Sequence, residues 1–180
     1  AKVNAAESRM GQTPLMWAVA EGRPKAAGVL IERGADVHAV SKTGFNAMLF
    51  AAQSGNLESV KLLLAAKPDP LYKAPDGSGA FSLALARGHE SVARLMLDHG
   101  ADVNLRDKSG GTPLHEATRL GKIDLVRDLV ARGANIEART ERAPGPQNPF
   151  RSNSGLTPFL SAAETGNVAM MQELIKLGAD

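Results

Sequence analysis

Glycine recurs in this chain at a fixed step of 33 residues. Gly11, Gly44, Gly77 and Gly110 keep that step, and so do Gly22, Gly55, Gly88 and Gly121. A third series runs Gly34, Lys67, Gly100 and Gly133, with a lysine in one glycine's place. Gly155, Gly166 and Gly178 resume the pattern, displaced by 12 residues. A period of this length describes stacked supersecondary units in place of one globular core. Chains built this way work by presenting a surface, and their repeats seldom assemble an active site.

Within one period the local signals ask for two short helices. Thr13 is placed to N-cap the first by accepting a hydrogen bond from a free backbone N–H. Pro14 then occupies the first helical position, where its missing N–H costs nothing. The helix runs to about Glu21, and Gly22 ends it by tolerating the left-handed C-cap conformation. A second helix covers roughly residues 24–33 and stops at Gly34. Neither is long enough to be stable alone, so packing between repeats must hold them. The second helices show their buried side in Leu57, Val60, Leu62, Leu63 and Leu64, in Val92, Leu95, Met96 and Leu97, and in Ile123, Val126, Leu129 and Val130. Lys61, Arg94, Asp124 and Arg127 fall on the solvated side.

Residues between the glycines carry a family signature. They read GQTPLMWAVAEG at 11–22, GFNAMLFAAQSG at 44–55, GSGAFSLALARG at 77–88, GGTPLHEATRLG at 110–121 and GLTPFLSAAETG at 155–166. Gly-Ala-Asp follows at 34–36, 100–102 and 178–180. The pattern resembles the ankyrin repeat, in five copies over nearly the whole chain, and its alanine-rich style is similar to bacterial ankyrin proteins. The resemblance implies an all-α repeat solenoid of helix-turn-helix units with hairpin or turn fingers, as one domain over 1–180. The repeats fall near 8–40, 41–73, 74–106, 107–138 and 152–180, with an insertion loop at 139–151.

Departures from the pattern are informative. Asn46-Ala47 replaces Thr-Pro in the second repeat, and Asn remains a good cap. Gly79-Ala80 leaves the third repeat without the usual start, which predicts the weakest first helix there. Gly28 inside a second helix costs roughly 1 kcal/mol relative to Ala. Lys67-Pro68 predicts a helix end near Lys67, because a residue preceding proline avoids the helical region. The proline-rich insertion sits at a hairpin tip, as a tolerated surface loop or as a finger anchored by Phe150 between Arg142 and Arg151. The last repeat has no polar cap, so either further repeats follow or that end associates with something, end to end. The start within a turn at Val3-Asn4-Ala5 and the stop at Gly178-Ala179-Asp180 read as a fragment or a processed chain.

The resemblance assigns structural roles to Thr13 and Pro14, to Thr112, Pro113 and His115, and to Thr157 and Pro158. The hydroxyl and imidazole of Thr112 and His115 are expected to brace adjacent turns. It also implies binding through hairpin tips and the inner face of the first helices. The corresponding partner-binding positions are Met10, Gln12 and Glu21, Thr43, Phe45 and Gln53, and Asp76, Ser78 and Arg87. They continue with Lys108, Arg119 and Leu120, then Leu156 and Glu164. Met10, Phe45, Leu120 and Leu156 form a candidate apolar stripe bordered by Arg87 and Arg119. Trp17, the single tryptophan, is expected to pack between repeats, with an interface anchor as the other reading.

Nothing in the sequence calls for chemistry. The net charge of +2 is too small for a strong nucleic-acid or acidic-membrane field. No apolar run approaches the roughly 20 residues that span a membrane. There is no cysteine, hence no disulfide, thiolate ligand or thiol nucleophile. The redox compartment therefore stays open, with the cytoplasm favoured. His99 and Asp102 lack a third ligand, and catalytic zinc takes three protein ligands, so neither metal nor cofactor is expected. His38 and His89 read as surface residues. The expected function is non-enzymatic recognition of another protein by a monomer. The alternative is a targeting or regulatory arm of a multidomain enzyme.

Overall fold

The computed structural model describes residues 2–107, 109–141 and 155–180. Among them are ten α-helices and no extended strand; two isolated antiparallel bridges pair Val40 with Asn46 and Lys73 with Gly79. The chain divides into two compact units, Ala1–Ala101 and Asp102–Asp180. No helix among the described residues is long and apolar enough to cross a membrane.

The first unit holds α1 (Pro14–Ala20), α2 (Pro24–Glu32), α3 (Ala47–Ser54), α4 (Leu57–Ala65), α5 (Ala80–Ala86) and α6 (Glu90–Asp98). Each odd helix pairs with the one after it, α1 packs on α3 and α3 on α5, and α2, α4 and α6 follow the same order. Two layers result, first helices in one and second helices in the other. The core between them is aliphatic: Leu15, Met16, Val19, Met48, Leu49 and Leu63 are fully buried. Each such side chain contributes about 1.5–3 kcal/mol.

The second unit holds α7 (Pro113–Arg119), α8 (Ile123–Ala131), α9 (Pro158–Glu164) and α10 (Val168–Lys176). Leu114, Leu125, Leu129, Met170 and Leu174 fill its core. An ion pair joins the second helices, with Arg127 Nε 2.6 Å from Glu173 Oε1. The guanidinium holds the Glu173 carboxyl below its usual range.

Caps explain where the helices start. Thr13 Oγ1 accepts the Met16 N–H at 3.3 Å, Asn46 Oδ1 the Leu49 N–H at 3.0 Å, and Thr157 Oγ1 the Leu160 N–H at 3.2 Å. The third repeat, expected to lack a start, has one from the opposite direction. Ser82 Oγ accepts the Gly79 N–H at 3.1 Å and donates to the Gly79 carbonyl at 3.0 Å. The side chain at the third helical position thus satisfies a group that a capping Thr would leave to its own partner. Lys67 ends the α4 turn at φ 57°, a left-handed conformation taken by glycine in the equivalent repeats.

The insertion starts and returns at adjoining points. Thr140 N–H donates to Leu156 O at 3.0 Å, Gly155 N–H to Thr140 O at 2.8 Å, and Leu156 N–H to Thr140 Oγ1 at 3.0 Å. Arg142, Phe150 and Arg151, named above as a possible finger, lie outside the described residues.

Candidate functional site: the hairpin turns and the exposed side of the first helices

Each first helix in the first unit buries most of its apolar residues and leaves one large apolar side chain partly uncovered. In α1, Leu15, Met16, Ala18 and Val19 are buried, while Trp17 is 51% exposed. In α3, Met48, Leu49, Ala51 and Ala52 are buried and Phe50 is half-buried; in α5, Phe81, Ala84 and Leu85 are buried and Leu83 is half-buried. Trp17, Phe50 and Leu83 occupy the same position, 33 residues apart, on packed neighbouring helices. Trp17 is therefore not buried between repeats as expected from the sequence: its neighbours Leu15, Met16, Ala18 and Val19 fill the core, and about half of the indole stays on the surface. Phe50 and Leu83 escaped sequence reasoning, although their register with Trp17 was available to find them.

The hairpin turns bordering this row are held by side chains aimed at the backbone. Glu7 accepts the N–H groups of Arg9 at 2.7 Å, Met10 at 2.6 Å and Gln12 at 3.1 Å. These bonds, Gln12's first, keep its carboxyl below the usual range. Ser41 Oγ accepts the Phe45 N–H at 3.1 Å and lies 2.9 Å from Thr43 Oγ1. Asp76 accepts the Ser78 N–H at 2.9 Å. In the second unit, Asp107 accepts the N–H groups of Ser109 at 2.7 Å and Gly111 at 2.9 Å. Turns fixed in this way present their outward side chains at a reduced ordering cost on binding. Glu7, Ser41 and Asp107 were not singled out from the sequence, because their role depends on turn geometry.

Adjacent turns are also tied together. Lys42 N–H donates to Met10 O at 2.8 Å, and Glu141 N–H to Ser109 O at 2.7 Å. Pro75 stands at the equivalent position of the third repeat and has no N–H to give. Tyr72 Oη instead donates to the Gly44 carbonyl at 2.8 Å.

The proposed contact residues divide between the units. In the first, Met10, Glu21, Thr43, Asp76 and Arg87 are exposed, and Gln12, Phe45, Gln53 and Ser78 are half-buried. The Phe45 ring leans on Phe50, with centroids 5.5 Å apart at 57°. In the second, Leu120 and Leu156 are half-buried, and Arg119 and Glu164 are exposed. Arg119 Nε lies 2.8 Å from Glu116 Oε2, and that carboxylate raises the guanidinium's pKa. Lys108 lies outside the described residues.

The rings of His89, His99 and His115 contact backbone. His115 is buried; its Nδ1 accepts the Thr112 N–H at 3.2 Å and lies 2.9 Å from Thr112 Oγ1. Its Nε2 faces Leu156 O at 2.9 Å. That pattern requires a neutral ring with its proton on Nε2. Burial lowers its pKa, with the Leu156 bond acting in the opposite sense. His89 is not a plain surface residue: its Nε2 lies 3.2 Å from Gln53 O, and the ring fills the space a Cβ on Gly55 would take. His99 Nδ1 contacts Leu95 O at 2.8 Å, and Asp102 accepts the Asn104 N–H at 2.8 Å, so each of that pair serves its own turn. Among the described residues no three His, Asp or Glu side chains gather as a metal site would require.

The family model described as ankyrin repeats (3 copies) matches residues 48–140, and that described as ankyrin repeats (many copies) matches residues 3–64. A putative ankyrin repeat-containing protein of Treponema pallidum is 41% identical over 56% of this chain and 34% of its own length. The B-cell lymphoma 3 protein homolog of Mus musculus is 34% identical over 69% of this chain and 28% of its own. A palmitoyltransferase of Lachancea kluyveri is 30% identical over 77% and 19%. The chain thus spans about a third or less of each of these relatives.

Proposed function

Because the chain belongs to the ankyrin repeat family, we propose that it acts by binding another protein through its hairpin turns and the exposed side of its first helices. The observation that carries this reading is the row Trp17, Phe50 and Leu83, large apolar side chains left partly uncovered at one repeat position of three neighbouring first helices. Large aromatic residues are the side chains most enriched where binding energy concentrates. Met10, Phe45 and Arg87 border this row in the first unit, with polar contacts from Gln12, Glu21, Thr43, Gln53, Asp76 and Ser78. Lys108, Arg119, Leu120, Leu156 and Glu164 are the corresponding contributors in the second. No side chain in this set is assigned a catalytic role.

A second reading makes the repeats a targeting or regulatory arm of a larger protein. It is favoured by relatives of much greater length, one of them a palmitoyltransferase. Both readings use the same surface, and differ in what lies beyond it.

The test is affinity capture with the wild type and a Phe45→Ser/Leu120→Ser variant, both shown by circular dichroism to be folded. A protein retained by the wild type and lost by the variant is the expected result. Equal retention by both contradicts the reading.

A further inference from the structure

The first and last repeats leave opposite sides uncovered. Within the first unit α1 stacks on α3 and α2 on α4, and within the second α7 stacks on α9. On first helices that have a successor in their own unit, Met16 and Leu49 are buried, as are Val19, Ala52 and Thr118. The last repeat carries Leu160 and Ala163 at these two positions; Leu160 is 43% exposed and Ala163 is exposed. On the second helices, Ile175 is 57% exposed where Ile31 and Leu64 are half-buried. The first repeat shows the reverse. Ala26 is exposed and Leu30 half-buried, whereas Ser59 with Leu63, and Met170 with Leu174, are buried at those positions in repeats that have a predecessor. The uncovered sides are therefore the two halves of the contact that each unit already builds between its repeats.

The polar edge of that contact matches as well. Asn56 Nδ2 donates to the Gly22 carbonyl at 3.4 Å, and His89 Nε2 lies 3.2 Å from the Gln53 carbonyl. Arg23 holds the repeat position of Asn56 and His89, and Glu164 and Gly166 hold those of Gln53 and Gly22. Both Arg23 and Glu164 are exposed. A repeat stacked on the last one in this register brings Arg23 to the side of Glu164, a guanidinium to a carboxylate.

We infer that a second copy of this chain docks head to tail on the first, α1 and α2 of one covering α9 and α10 of the other. Continuity commits the last repeat to this occupant: the chain itself carries the matching half, in the register its own repeats use, with charge of the opposite sign at the edge. A terminal repeat of a stack needs a polar outer side to remain apart from others, and Leu160, Ala163 and Ile175 do not supply one. The contact is heterologous, so each pair still has one uncovered side of each kind and goes on adding copies. The inference does not use the row Trp17, Phe50 and Leu83, and it adds self-association to the recognition proposed above.

The test is sedimentation velocity of the full chain from micromolar to millimolar concentration. The expected result is a sedimentation coefficient that rises with concentration. Ala26→Arg and Ile175→Arg each change an exposed position, so both fold, as circular dichroism checks, and each alone stays monomeric. Mixed in equal amounts they form a dimer and nothing larger, because each keeps one working side. Arg23→Glu sets like charges together and weakens the association, and Arg23→Glu/Glu164→Arg restores it. A wild type that stays monomeric throughout overturns the inference. So does association that survives Ala26→Arg, which would join last repeat to last repeat, or that survives Ile175→Arg, which would place the contact elsewhere. A mixture of the two variants that fails to pair overturns it as well.

Discussion

His115 Nε2 donates to the carbonyl of Leu156 across 41 residues of chain, at 2.9 Å. The bond crosses from the start of α7 to the turn ahead of α9, so it fastens the last repeat to its neighbour on the far side of the insertion.

Burial of the imidazole, against the opposing effect of this bond, makes the second unit's stability pH-dependent. Burial holds the native His115 pKa below the ordinary value of about 6.5. Between the two values the unfolded chain binds more protons than the folded one, so stability rises with pH. The contribution is complete above about pH 6.5 and declines as pH falls through that value toward the native one. Replacing His115 with Asn should cost about 1–3 kcal/mol at neutral pH and flatten this slope. Urea midpoints at pH 7.5 and 5.5 for both proteins check it.

Two glycines should respond in opposite senses to alanine. Gly28 lies within α2, and a Cβ there meets nothing within 4 Å. Gly28→Ala should stabilise by about 1 kcal/mol through helix propensity. Gly44 has φ +79°, and its Cβ would stand 2.3 Å from Pro75 Cδ. Gly44→Ala should destabilise by about 2 kcal/mol or more, strain and overlap acting together. Thermal melts of the two variants distinguish the effects.

Lys67 holds a left-handed conformation without being glycine. Lys67→Gly should gain about 0.5–1 kcal/mol, the released strain exceeding the entropy a glycine adds to the unfolded chain. A lower melting temperature would show that the lysine side chain compensates elsewhere.

Thr118 Oγ1 is buried and makes no hydrogen bond. Valine keeps the shape and removes the unsatisfied hydroxyl, so Thr118→Val should stabilise by about 1 kcal/mol. Chemical denaturation at neutral pH measures this.

The helix pattern was legible because its signals are local. Thr13, Asn46 and Thr157 cap through their own side chains, and glycine or a pre-proline residue marks each end. The third repeat lacks the usual Thr start, as expected, but the contribution of Ser82 was not legible, because it bonds back to Gly79 from the third helical position. Thr112 and His115 were legible through the family pattern, whereas His89 was not. Its place depends on Gly55, in the preceding repeat, having no Cβ. The candidate surface was half legible. Met10 and Phe45 follow from their place in the repeat, whereas the packing expected for Trp17 takes no account of the size of the indole, and its exposure favours the other reading, an interface anchor. A bulky side chain at a position that smaller ones only partly cover remains outside.

The most direct test of the recognition surface is hydroxyl-radical footprinting of the chain with and without a captured partner. Met10, Trp17 and Phe45 are reactive and at least partly exposed, and Val29 and Leu71 are exposed residues outside the set. Protection of Met10, Trp17 and Phe45, with Val29 and Leu71 unchanged, is the expected outcome. Protection of Val29 and Leu71, with Met10 and Trp17 oxidised as before, would contradict the account.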